Sequence, residues 1–393
     1  MKSNYDALGN YIRLVDTRNT DLVTEQVLGI NIDKYFMPSV ANVIGTDLSK
    51  YKLITKGKFA CNPMHVGRDE RLPVALYTED EPAIVSPAYF MFEIIDSSIL
   101  NEDYLMMWFR RPEFDRLCWL RTDGSVRGGI TWDDICRMKV PVPPLNEQIE
   151  IVQSYQAITD RIALKKQIND NLAEQCACIL YNQYTSDVEN GKAWIKYSVQ
   201  NLIDMEYIEA PMDGNHGEIH PKVSDYVSSG IPFIMANNLS DGFVDLTQCA
   251  FITEEQAKSL RKGFAKPNDV LLTHKATLGR VAIVPNEYDY IILTPQVTYY
   301  RVKKGLSNVY LRYYFASSYF QSILESFAGG GSTRAYIGIT KQCELPIYLP
   351  NEMSMERITE ALSSIESMRS VNQAEIHKLK TVQDTMVSQL SSR

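Results

Sequence analysis

The chain repeats itself about 205 residues apart, and each copy ends in a long heptad-patterned segment. Asn146-Glu147 follows Val140-Pro141-Val142, and 205 residues later Asn351-Glu352 follows Leu345-Pro346-Ile347. Gly124-Ser125-Val126-Arg127 is answered by Gly331-Ser332-Thr333-Arg334 at an offset of 207, and Tyr104-Leu105 by Tyr310-Leu311 at 206. A fixed period governs the architecture before any single element is assigned. It implies a pseudo-two-fold molecule able to handle two similar things at a set separation.

Each copy opens with short apolar runs punctuated by prolines. Phe59 to Cys61, Val74 to Tyr77 and Ala88 to Ile95 read as strands in the first. Ile231 to Ile234, Asp269 to Leu272, Val281 to Val284 and Tyr290 to Leu293 read as strands in the second. Helical segments come next, at Leu100 to Phe109 and Val309 to Phe327, then the glycine-rich loops around Gly124 and Gly331. The aromatic run Tyr310, Tyr313, Tyr314, Phe315, Tyr319 and Phe320 has helical spacing, which favours core packing over a base-stacking platform.

Pro141, Pro143 and Pro144 cannot lie inside a helix and so mark the start of one. Beyond them the apolar spacing becomes that of a coiled coil. The second copy runs Ile358, Leu362, Ile365, Arg369, Asn372, Ile376, Leu379, Gln383, Met386 and Leu390 without interruption. The first is less regular, with Ile149, Val152, Ile162, Ile168 and Leu172 as its seam. Two exposed apolar stripes in one chain are most simply covered by each other. Because one module precedes each helix, the pairing should be antiparallel. Arg369, Asn372 and Gln383 in the seam would fix register; the alternative phase turns them outward and brings in Met368, Val371 and Val382. Roughly 40 helical residues make a rod of roughly 60 Å.

The expected fold class is therefore α+β: two mixed α/β modules, at 1–144 and 187–349, separated by two long antiparallel coiled-coil helices at 145–186 and 350–393. A net charge of −8 and a pI near 5.3 argue against nucleic-acid binding over the whole surface, though not against local basic clefts. Seven cysteines without framework spacing predict reduced thiols and a cytoplasmic protein. Cys176-Ala177-Cys178 is read as a helical pair and not a metal site. No secretory h-region and no run of about 18 apolar residues occurs, so no membrane association is expected.

The sequence contains no catalytic motif: no phosphate-binding loop, no zinc-protease helix and no nucleophile elbow, and its five histidines are scattered. Neither catalytic residues nor a metal site are assigned. What remains is a set of hydrogen-bond donors in matching loops. Ser125 and Arg127 answer Ser332 and Arg334 beside glycines that let a backbone approach a phosphate closely. Either arginine could also contact guanine in a bidentate fashion. The first module adds Arg18, Asn19, Lys34, His65 and Arg68; the second adds His216, His220, Lys222, His274, Lys275, Thr277 and Arg280. As a group they favour nucleic acid over a small ligand.

Two variable modules, each closed by a proline turn such as Val140-Pro141-Val142-Pro143-Pro144-Leu145-Asn146-Glu147-Gln148 and followed by a long helix, resemble the specificity subunits of type I restriction-modification systems. Asp16-Thr17-Arg18-Asn19 with Leu28-Gly29-Ile30 and Gly57 to Pro63 looks like one type of target-recognition domain; Gly230 to Ile234 through Gly279 to Ile283 looks like another. The second copy departs from the pattern at Leu349-Pro350-Asn351-Glu352-Met353. The resemblance covers essentially the whole chain. It implies a non-catalytic reader of double-stranded DNA, each module reading one half of a bipartite site and the helices setting the gap. It further implies two modification subunits, which carry S-adenosylmethionine and methylate adenine, and a restriction subunit using ATP and Mg; the chain itself would hold no cofactor. The rivals are the recognition portion of a single-chain restriction-methyltransferase and a coiled-coil scaffold that binds no DNA.

Overall fold

The repeat recurs in a computed structural model that describes residues 5–40, 45–64, 66–122, 128–329 and 336–390, with the second copy adding one hairpin, Leu239–Ser240 with Phe243–Val244. Two compact units form, Met1–Leu164 with Glu375–Arg393, and Lys165–Ala374.

In the first unit, one antiparallel sheet has the spatial order Ile12–Leu14, Phe90–Ile94, Phe59–Cys61, Val74–Leu76. A second has the order Phe36–Pro38, Val27–Ile30, Ala83–Val85, Lys52–Ile54, with a parallel pairing at its centre. A ribbon of Tyr5–Ala7 and Lys139–Pro141 closes the module. Alternation along each strand decides which layer it faces. Phe59, Cys61 and Phe92 enter the core shared with the helices Glu102–Phe109 and Pro112–Trp119, while Ala60 and Met91 face the second sheet.

The second unit has the same topology in different residues. Its first sheet is ordered Met212–Asp213, Val297–Tyr300, Val270–Lys275, Thr277–Ile283. Its second is ordered Ala250–Ile252, Ile231–Ile234, Ile291–Leu293, Phe264–Ala265, again with one parallel pair at the centre. Ile195–Ser198 and Pro346–Leu349 form the closing ribbon. Val270 and Leu272 pack on the helical side with Tyr310, Phe315 and Phe320, and Leu271 on the other. Tyr310, Tyr313, Tyr314, Phe315 and Phe320 are core residues, as their spacing predicts, whereas Tyr319 is half exposed. The expected single helix here is two, Asn308–Ala316 and Ser318–Phe327, because Ser317 leaves helical geometry to cap the second.

The central helix Leu145–Glu189 and the C-terminal helix Glu352–Gln389 each contribute to both units. Asn351 caps the latter by accepting from the Ser354 N–H at 3.0 Å, which supplies the start signal that the shortened proline turn lacks. Within each unit the two helices run antiparallel. In the first, Thr159 bonds Gln383 at 2.6 Å and Arg161 pairs with Glu375. In the second, Lys165 bonds Asn372, Asn169 bonds the Arg369 carbonyl, and Asp187 bonds Ser354.

In the C-terminal helix the expected seam residues lie at different depths. Ile358, Leu362, Arg369 and Ile376 are buried; Ile365, Asn372, Leu379, Gln383 and Met386 are half-buried. Met368, Val371 and Val382 are exposed, so the alternative phase is not adopted. The central helix needs correction. Ile162 is buried and Val152 and Leu172 are half-buried, but Ile149 and Ile168 are 38% and 39% exposed. Gln148 and Asn169, each one residue away, are buried in their place. Cys176 is buried and Cys178 exposed, so the two thiols face different ways.

Candidate nucleic-acid interface

Each unit brings two loops together at the same point of its topology. One joins the third and fourth strands of the first sheet; the other is the described stretch that follows the glycine-rich residues, from Gly128 in the first unit and from Tyr336 in the second. In the first unit the Ile130 N–H donates to the Pro63 carbonyl at 3.1 Å, and the Gly67 N–H to the Gly128 carbonyl at 3.0 Å. In the second, the Ile337 N–H donates to the His274 carbonyl at 3.0 Å, and Lys275 bridges to Tyr336. His65, Ser125, Arg127, Ser332 and Arg334 lie outside the described residues.

The hairpin tip Lys275-Ala276-Thr277 is exposed, with Ala276 in the left-handed region at φ +65° and a bulge just before it. The Lys275 ammonium lies 5.9 Å from the Tyr336 ring centroid. His274 is fully buried, and its Nδ1 donates to the Ile337 carbonyl at 2.9 Å, so tip and glycine-loop edge are tied in both directions. That tautomer leaves Nε2 as an acceptor, and it has no partner among the described residues. Burial pushes the His274 pKa below 6.5, opposed by its bond to Ile337 and by nearby Asp213.

A histidine kept neutral in the fold but free to protonate when unfolded contributes stability above its unfolded pKa and loses it as pH falls below about 6.5. The second unit should therefore melt at a lower temperature at pH 5.5 than at pH 7.5. His274→Phe should flatten that dependence, checked by thermal denaturation of both proteins at the two pH values.

The remaining candidates divide by environment. His216 is half exposed, with Nε2 2.9 Å from Asp213, which also pairs with Lys262. His220 bonds the Asn215 carbonyl at 3.2 Å and packs on Phe233; Lys222 is exposed. Arg280 donates to the carbonyls of Leu239 and Ala236 at 3.0 and 3.3 Å, which makes it a brace between segments. In the first unit Arg68 is exposed and forms a fork on Asp69, and Arg18 is held by Asp16 and the Lys50 carbonyl. Two candidates lie in the interior. Asn19 is fully buried and donates to the Thr24 carbonyl at 2.9 Å. Lys34 is buried against the Phe109 carbonyl and Asp115, in a left-handed turn at φ +68°.

Sequence reasoning missed two polar anchors. Gln148 is fully buried and bonds Ile99, Asn101 and Pro143, fixing the start of the central helix to the first module. Its only sequence signal is its place in the proline turn. Arg369, read only as a register residue, also reaches the Asp241 carbonyl at 2.7 Å.

Neither a protein-family model nor a curated protein sequence matches the chain. Among solved structures it is similar to the S subunit of a type I restriction-modification system from M. genitalium. The identity is 11%, with 98% of this chain and 95% of that chain covered and a TM-score of 0.53. It also aligns with a chain from a type I R-M system solved for its complex assembly and conformational transition, at 15% identity, 98% and 96% coverage and a TM-score of 0.42. The HsdS subunit from Thermoanaerobacter tengcongensis aligns at 16% identity, 98% and 95% coverage and a TM-score of 0.38. The chain therefore has, along almost its whole length, the fold of a type I restriction-modification S subunit.

Proposed function

We propose that the chain is the specificity subunit of a type I restriction-modification complex. Each unit reads one half of a bipartite DNA site, and the paired helices set the unread gap. The observation that carries this is the repetition of strand order and pairing sense in two units whose loop residues differ. A shared frame with different loops is what reading two different words requires, since base choice depends on a few side chains at loop positions. Linking two weak readers raises joint affinity without new contacts.

The chain contributes no catalytic step in this reading. S-adenosylmethionine belongs to two modification subunits that methylate adenine, and ATP and Mg to a restriction subunit. A surface that fits a partner lies in the second unit, where Tyr181 and Tyr184 of the central helix, with Trp194, Tyr319 and Tyr348, line an open cavity of about 600 Å³. Among the described residues no helix is long and apolar enough to cross a membrane.

The chain together with modification subunits should retain a duplex carrying both half-sites at moderate salt far better than a random duplex. Equal weak retention of both would leave only a scaffold, and methylation of DNA by the isolated chain would overturn the non-catalytic reading. Arg127→Ala and Arg334→Ala should each relax recognition of one half-site and spare the other. Equal loss across all sequences would instead assign those arginines to phosphates.

A further inference from the structure

We infer that Arg369 is a specificity-determining positioning residue for the gap: it pins the second unit's recognition sheets to the seam of the C-terminal helix. This rests on the bipartite-reader function proposed above. Arg369 is 2% exposed at a heptad position where an aliphatic side chain would suffice for packing; Ile162 stands 207 residues earlier in the repeat. Its guanidinium instead bonds four different elements. Nε donates to the Asn169 carbonyl of the central helix at 3.2 Å. Nη1 donates to Glu366 at 3.1 Å on its own helix and to the Tyr313 hydroxyl at 3.2 Å on Asn308–Ala316. Nη2 donates to the Asp241 carbonyl at 2.7 Å, and the group lies 4.9 Å from the Phe243 ring centroid. A planar fork with five donors holds such an arrangement in one orientation, which an ammonium cannot do.

Asp241 and Gly242 are the turn of the hairpin formed by Leu239–Ser240 and Phe243–Val244. Their φ values of +54° and +87° match a two-residue hairpin turn with both central residues left-handed. A Cβ on Gly242 would collide with Arg312 Nη2, so the turn is pressed directly onto a second guanidinium. Arg312 is 3% exposed and stacks 4.0 Å from the Tyr313 ring centroid, and its Nε has no hydrogen-bond partner among the described residues. The hairpin in turn packs on strand Thr277–Ile283, whose Arg280 bonds Leu239 and Ala236. Named hydrogen bonds thus connect the helical seam to the strand that begins at the exposed tip.

The first unit is built differently. Its corresponding loop, residues 31–35, is short and is anchored through Lys34 to Phe109 and Asp115, in or beside the short helices. Arg369 therefore ties the second unit's version of this loop directly to a long helix, which Lys34 does not do in the first. One base pair more or less in the gap displaces a half-site by about 3.4 Å, which a module free to rock on its helix could follow and a pinned one could not.

The test uses the full chain with its modification subunits and duplexes carrying both half-site words at the native gap and at one base pair longer or shorter. Wild type should methylate the native gap alone. Arg369→Met, which keeps bulk and removes the fork, should still require both words yet raise methylation of the off-gap duplexes at least tenfold relative to the native gap. Glu366→Gln, which keeps its shape and weakens the hold on Nη1, should move the same ratio in the same direction and carries the test if Arg369→Met does not fold. A folded variant whose gap discrimination stays within twofold of wild type overturns the inference, as does relaxation of the words themselves together with the gap. If wild type itself ignores the gap, the bipartite-reader function fails and the inference with it.

Discussion

Lys34→Ala is expected to destabilise the first unit by about 3–5 kcal/mol, because it strands Asp115 in the interior without its cation. The Lys34 side chain is 5% exposed and that of Asp115 12%, with 2.7 Å between them, and Asp115 also accepts from the Leu72 N–H. Burial holds the Lys34 pKa below its ordinary value, and Asp115 opposes the shift. Removing the charge from both partners should be far milder, since a buried ion pair contributes little net stability over neutral groups of similar shape. Lys34→Met with Asp115→Asn, which keeps an acceptor for Leu72, should recover most of the loss in chemical denaturation. A Lys34→Ala protein as stable as wild type but unable to bind the first half-site would instead return Lys34 to the DNA.

The second large effect concerns the helices as a ruler. Removing four residues from each helix at facing positions, Thr159–Ile162 and Leu379–Val382, shortens the pair by about 6 Å and rotates the helix beyond the cut by about 40°. One base pair of DNA turns by about 34–36° and rises about 3.4 Å, so the rotation matches about one base pair and the length about two, and the preferred gap should shorten by one or two base pairs with both words unchanged. Removing seven residues from each helix preserves the seam but shortens it by about 10.5 Å with only about 20° of rotation. Three base pairs would match that length while turning the second half-site by more than about 100°, so this variant should lose activity at every gap. A methylation series over duplexes of stepped gap distinguishes the two. A heptad deletion that works better than the four-residue one would contradict a ruler lying along the DNA.

What the sequence disclosed and what it hid have physical causes. The repeat offsets of 205 to 207 recur because the strands and caps of both units occupy one frame; Asn101 and Ser307, 206 apart, cap corresponding helices. The C-terminal seam was legible because its aliphatic residues alternate cleanly. The central helix was not, because Gln148, Thr159, Lys165 and Asn169 fill seam positions, and the partners of the last three, Gln383, Asn372 and the Arg369 carbonyl, lie some 200 residues away. Lys34, Asn19 and His274 looked like surface donors because main-chain carbonyls of Phe109, Thr24 and Ile337 receive them, and a carbonyl leaves no mark in a sequence. The turn at Ala276 was legible as lying between two strands, but the strands run on to Lys275 and from Thr277, farther than the sequence shows, and the bond that seats the tip on Ile337 was not legible.

The most direct test of a two-word DNA reader is to map methylated adenines across the genome of cells carrying the modification subunits with and without this chain. The account predicts one asymmetric bipartite word with a single fixed gap, absent when the chain is absent. Methylation that persists without the chain, or a contiguous word without a gap, would contradict it.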